Sequence, residues 1–402
     1  MNARSILLPA CRALVCLPFF SMLPTVGAHP QAQGGCVPVG AWAQPGPSGA
    51  RVVDAGQLHA GLARRRVVLL GEGHDIPEHH RWQLQTIAAL YAHHPRLVLG
   101  FEMFPRSVQP VLDRWVAGEL TEAQLLRESD WRSIWGFDPQ MYLPIFHFAR
   151  MNRIPMQALN VSREFTRAVS ERGFDAIPAR EREGVTRPAK PLREYEDFLL
   201  ESFAKHGAGQ EAADPAAMRA DPRFRRFLES QLVWDRAMAE RIVAALDRHP
   251  DALVVALMGT GHLMNGWGVP HQLRALGLRD PAVLLPWESE DDCAGLRPSY
   301  ADAVFGLGGR SDKRRARPRL GIWLEPAPDG VLVRDLDQTG IGALAGLRSG
   351  DIVVEAAGVP SREASDLSDT VQRQAPGTWL PLKVKRDGQL IELIAKFPPE
   401  QP

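Results

Sequence analysis

Five short, predominantly apolar runs restrict what this chain can fold into: residues 67–70, 97–101, 154–159, 253–258 and 283–285. Four of them are followed directly by Gly71, Asn160, Gly259 or Pro286, residues that end strands. Runs with no polar alternation suit strands buried on both faces, as in a parallel sheet. Helical patterns lie between them: "PEHHRWQLQTIAALYAHH", "SVQPVLDRWVAGEL" and "YLPIFHFARMN". The alternation predicts an α/β fold, mainly a parallel sheet flanked by helices. Between residues 187 and 250 it breaks into two helical segments. The second carries Phe224, Phe227, Leu228, Leu232, Met238, Ile242 and Leu246 close to one stripe. This predicts a helical insertion, serving either as a cap over a site or as a packing layer.

With 402 residues the chain exceeds one ordinary core. The expected division is a signal peptide over 1–28, an N-terminal segment over 29–60, an α/β domain over 61–300, a linker over 301–317 and a small β-rich module over 318–398. The linker rests on the basic, Gly- and Pro-flanked stretch "GLGGRSDKRRARPRLG". Arg4 and Arg12 precede the apolar run "ALVCLPFFSMLPTVGA", with small residues Val26, Gly27 and Ala28 as the cut site. An exported, periplasmic protein is expected. Membrane association through an uncleaved leader, or through a lipid on Cys11 or Cys36, stays open. Cys36 and Cys293 would be the only thiols of the mature chain, and an oxidising compartment permits their pairing. Lys and Arg (47) balance Asp and Glu (47), so no global positive field recruits nucleic acid.

Chemistry gathers where the runs end. Gly71-Glu72-Gly73-His74 follows one run and Gly259-Thr260-Gly261-His262 another; Glu102 and Asn160 close two more. Parallel strands would bring these groups to one sheet edge, where open α/β sheets bind ligands. His74, His262 and Glu102 are a donor set suited to a divalent metal such as Mn, Co or Zn. Together with Glu72, the same groups suit general acid–base catalysis. His79 and His80 fall on the next helix and read as its solvated face. His93 and His94 read as its end.

"AGLRSGDIVVEAAGVP" and "RLGIW" resemble the PDZ domain pattern across the last 80 or so residues. The resemblance implies capture of protein C-terminal tails by strand addition, with backbone N–H groups around Leu320, Gly321 and Ile322 holding the terminal carboxylate.

"LLGEGHDIPEHHRWQ", "LGFEMFPRSVQPVLDRW", "WGFDPQMYLPIFHFAR", "IPMQALN" and "ALMGTGH" together resemble the ChaN-type haem-binding uptake proteins, within the superfamily that includes Tiki, TraB and erythromycin-esterase-like proteins. The resemblance implies haem binding in iron acquisition, in a pocket at a homodimer interface, with a tyrosine on the iron and basic or His groups on the propionates. Its Tiki-like branch implies instead a metal-dependent hydrolase or protease using Glu72, His74, Glu102 and His262. Candidate cofactor-binding residues are His74, Tyr142, Asn160 and Arg81. Haem binding with a PDZ-like docking module is the leading reading, and the hydrolase is the alternative.

Overall fold

A computed structural model describes residues 36–206, 214–309 and 318–399. The expected leader, its cut site and Cys11 lie outside the described residues, as do residues 310–317 of the expected linker, whose start is corrected because residues 303–307 form a strand of the first unit. The chain divides into two compact units, the first ending at Leu307 and the second beginning at Gly308.

The first unit is built on an eight-stranded sheet. In chain order its strands are β1 (Trp42–Gly46), β2 (Gly49–Val53), β3 (Val67–Glu72), β4 (Leu97–Pro105), β5 (Met156–Asn160), β6 (Leu253–Gly259), β7 (Ala282–Glu288) and β8 (Ala303–Leu307). Their spatial order is β2-β1-β8-β7-β3-β6-β4-β5. The pairs from β8 to β5 are parallel, and only β1 is reversed, antiparallel to both of its neighbours β8 and β2. The five apolar runs supply β3 to β7, each buried along its whole length. β1 and β2, at one end of the sheet, carry no such run, and β8 (AVFGL) is a further apolar strand that the five runs do not include.

Side chains alternate between faces along each strand. Val68 and Leu70 meet Trp82, Ile87 and Leu90 of the Pro77–His93 helix on one face. Val67 and Leu69 meet Met238, Ile242 and Leu246 on the other. These last three belong to the helix Pro222–Arg248, which with Arg193–His206 forms the insertion between β5 and β6. Burying each such aliphatic side chain stabilises the fold by about 1.5–3 kcal/mol. Because β6 lies between β3 and β4, the carboxyl ends of β3, β6 and β4 meet at the centre of one sheet edge.

Cys36 and Cys293 form a disulfide with Cα atoms 5.6 Å apart, tying the start of the described chain to the segment after β7. No helix among the described residues is long and apolar enough to cross a membrane.

The second unit is a small antiparallel sheet of β9 (Ile322–Ala327), β10 (Gly330–Leu336), β11 (Ile352–Ala356), β12 (Val359–Pro360), β13 (Trp379–Arg386) and β14 (Gln389–Lys396). Asp387 and Gly388, both with positive φ (49° and 81°), make the tight β13–β14 turn. Gly350 adopts φ +92°. Asp351 after it is buried and accepts from Arg386 Nε and Nη2 (2.7 Å each) and from the Arg348 N–H (2.9 Å). The Gly-Asp pair is therefore an internal clamp of this unit.

Candidate functional site

Glu72 ends β3 with its side chain fully buried. One carboxylate oxygen accepts from the Tyr142 hydroxyl (2.9 Å) and from His74 Nδ1 (2.9 Å); the other accepts from Gln83 Nε2 (2.9 Å). Burial alone would raise its pKa, but the bonds from His74 and Gln83 and the nearby His80 outweigh it and hold the group below its ordinary value. An ionised carboxylate only accepts, so His74 carries its proton on Nδ1. That leaves Nε2 outside the bond, on a side chain 30% exposed. The imidazole stands 4.7 Å from the Trp135 ring and 5.3 Å from Phe137. A Cβ at position 259 would fall 3.0 Å from His74 Cε1, so glycine there gives the ring its room.

His262 ends the short turn Thr260–His262 after β6. Its Nδ1 lies 2.6 Å from Asp235 Oδ1, and its Nε2 lies 3.5 Å from Glu102 Oε1. Burial lowers its pKa, but Asp235 and Glu102 overcome this and push it up to about 9. It is an imidazolium at neutral pH, with both ring nitrogens directed at carboxylates. Asp235 is fully buried on the Pro222–Arg248 helix and also accepts from the Tyr195 hydroxyl (2.8 Å). Glu102, buried in β4, accepts the Gly259 N–H through Oε2 (2.7 Å). It also acts electrostatically on both imidazoles. The edge therefore holds two histidine–carboxylate pairs, with Glu102 beside them.

A cavity of about 490 Å³ opens next to His262, walled by Tyr195, Phe198, Leu199, Phe203 and Phe227. Most of these aromatic side chains come from the helix Arg193–His206.

The other candidates hold different places. Asn160 is buried and donates to the Glu102 carbonyl (2.9 Å) while accepting the Val161 N–H (2.8 Å), so it fixes the Glu102 backbone. Tyr142 is fully buried, with its hydroxyl on Glu72. Arg81 is 71% exposed and pairs with Glu78. His79 and His80 are corrected: both are buried, at 5% and 2%, on the inner face of their helix. His79 Nδ1 accepts the Gly73 N–H (2.8 Å), and His80 Nε2 reaches the His74 carbonyl (3.3 Å). They brace the loop that carries His74.

Among the described residues, no group of three or more His, Cys, Asp or Glu side chains is arranged to hold a metal ion. The donor set explains why. Both oxygens of Glu72 are engaged, Glu102 is turned to Gly259 and His262, and each ring nitrogen of His262 is directed at a carboxylate. These side chains are bonded to one another, and the divalent-metal alternative gains no support from their arrangement.

Sequence reasoning missed Asp235, Tyr195, Trp135 and Phe137. For Asp235 a signal exists: it falls between Leu232 and Met238 on the apolar stripe, and a carboxylate there needs a buried partner.

A family profile described as haem-binding uptake, Tiki superfamily, ChaN matches residues 58–273. A PDZ domain profile matches residues 318–396. The structure titled "Cofacial heme binding to ChaN of Campylobacter jejuni" superimposes with a TM-score of 0.51 at 18% identity, covering 66% of this chain and 95% of that one. A probable periplasmic serine endoprotease, DegP-like, from Halomonas elongata is 34% identical over 92 residues. That match covers 20% of this chain, which spans only 19% of the protease's length. A serine endoprotease structure from Yersinia pestis covers 22% of this chain and 32% of its own at 28% identity, with a TM-score of 0.20.

Proposed function

The chain belongs to the ChaN family of haem-binding uptake proteins in the Tiki superfamily, and from that premise we propose that it is an exported haem-binding protein whose PDZ domain docks a protein partner. The observation that carries the haem reading is His74. Of the two imidazoles paired to carboxylates at this sheet edge, it alone keeps a ring nitrogen outside the carboxylate network. A histidine on iron characteristically gives its other N–H to a carboxylate, as His74 does to Glu72. Haem is also a flat apolar body. The rings of Trp135 and Phe137 beside His74 and the aromatic cavity beside His262 supply matching surface. Haem is the cargo here, and it brings the iron that His74 Nε2 ligates.

The tyrosine ligand implied by the family resemblance finds less support. The hydroxyls of Tyr142 and Tyr195 are held by Glu72 and Asp235. Burial and the neighbouring carboxylates push both phenols up, away from phenolate. Export draws support from the leader pattern, from the Cys36–Cys293 disulfide and from the periplasmic name of the protease relative. The test is a haem titration of the full-length protein: a saturable Soret shift at near-stoichiometric loading is expected, and no saturable shift sinks the reading.

For the PDZ domain, β9 is an edge strand and offers its free side to an incoming tail. The loop before it is fixed. The Leu320 carbonyl accepts from Gly342 (2.7 Å) and the Gly321 carbonyl from Asp337 (2.8 Å). Gly321 has φ +71°, and a Cβ there would lie 3.2 Å from Gly340 Cα. Gly321→Val is expected to weaken binding of a C-terminal peptide by about tenfold, read by fluorescence anisotropy. Equal affinity in the variant would remove the loop from tail recognition.

A second reading, acid–base hydrolysis without a metal, is favoured by the His74–Glu72 pair standing beside Glu102. Turnover of ester or peptide substrates that survives chelators and is lost in both His74→Ala and Glu102→Gln would support it. Absence of turnover sets it aside.

A further inference from the structure

We propose that the cleft between the β1–β2 hairpin and the segment after β6 is a second ligand site, for a hydroxylated organic oxyanion such as a sugar acid or a sugar phosphate. The cleft measures about 700 Å³. Its charged lining is Arg51, Arg274 and Asp302. Asp302 is exposed; its Oδ2 accepts the Val283 N–H (2.7 Å), so it adds one negative charge to the lining. The arginines bond only neutral acceptors: Arg51 Nη2 donates to Gln44 Oε1 (2.6 Å), and Arg274 Nη1 donates to the Gly266 carbonyl (3.1 Å). Among the described residues no carboxylate pairs with either. Two forked cations against one carboxylate leave the cleft net positive, which favours a carboxylate or phosphate guest.

The walls are preset. Asn265 and Gly266 are consecutive left-handed residues, with φ +56° and +69°. Such a conformation is uncommon for a non-glycine residue and is a mark of built sites. It is held by the Asn265 N–H on the Tyr300 carbonyl (2.9 Å) and by the Ser299 hydroxyl on Asn265 Oδ1 (3.2 Å). At position 266 a Cβ would come within 3.0 Å of Arg274 Nη2, so glycine lets the guanidinium close in. The volume exceeds what a bare oxyanion fills. Ser48, Asn265 and Ser299 in the lining can meet hydroxyl groups on a larger body.

The test is calorimetry on the full-length protein with glucuronate, glucose 6-phosphate, glucose and inorganic phosphate. Saturable binding of at least one anionic sugar is expected, with no binding of glucose, and the preferred anion separates a carboxylate guest from a phosphate one. Arg51→Gln and Arg274→Gln should each weaken it by about tenfold while haem titration stays as in the wild type. If a variant fails to fold, the corresponding Lys substitution, which keeps the charge but loses the fork, takes its place and should still bind more weakly. Failure of both anionic sugars to saturate overturns the proposal, as does wild-type affinity in both variants. Inorganic phosphate binding as tightly as the sugars means an adventitious ion only, and overturns it as well.

Discussion

Asp235→Ala is expected to destabilise the first unit by about 3–5 kcal/mol, the usual cost of removing one partner from a buried ion pair. Asp235 is fully buried, and its carboxylate takes both the His262 Nδ1 proton and the Tyr195 hydroxyl. Alanine leaves an imidazolium and a phenol in an apolar helix interface with no acceptor at that place. The pH profile provides a second signature. The folded-state pKa of His262 is pushed up to about 9, above its unfolded value. Its contribution to stability is therefore complete below about pH 6.5 and is lost as pH rises through 9, a change on the order of 3 kcal/mol. Asp235→Asn should flatten this decline, because the main group that raises the pKa is gone. Urea denaturation on either side of that window checks it. Profiles that stay parallel in wild type and variant would show that the pair does not set the stability.

His74→Ala is expected to abolish haem loading at a smaller structural cost than Asp235→Ala, because Glu72 keeps Tyr142 and Gln83 as donors. The ring is partly exposed, makes its one side-chain hydrogen bond to Glu72, and is not part of either sheet core. Glu72→Gln is the graded companion. It keeps the shape but loses the charge that receives the Nδ1 proton, and support of this kind is worth about 10–100-fold in metal affinity. Its structural cost is larger than that of His74→Ala, because Tyr142, Gln83 and His80 all gather on that carboxylate.

The central sheet was legible because its strands are buried on both faces, and a run such as "LVVALM" has no alternative as a half-solvated element. Strands β1 and β2 were not, since "WAQPG" and "GARVV" carry neither alternation nor continuous hydrophobicity. Parallel register explains why Glu72, His74, Glu102 and His262 come together: strand-end groups 190 positions apart, such as Glu72 and His262, share an edge once Glu72 pairs with Gly259. The bracing layer was hidden for a different reason. His79 and His80 open a helix beside Glu78 and Arg81, which looks solvated in one dimension. Only the packing of that helix on β3 turns the two imidazoles inward. Asp235 was hidden in a stripe read for its apolar members alone. The Cys36–Cys293 pairing depends on a closure over 257 positions that spacing cannot reveal.

Resonance Raman spectroscopy of the ferrous haem complex tests the assignment of iron to His74 most directly. An iron–imidazole stretching band is predicted in the wild type and in Tyr142→Phe, and its loss is predicted in His74→Ala. A band that persists unchanged in His74→Ala, or a phenolate signature in the ferric wild-type complex, would contradict the account.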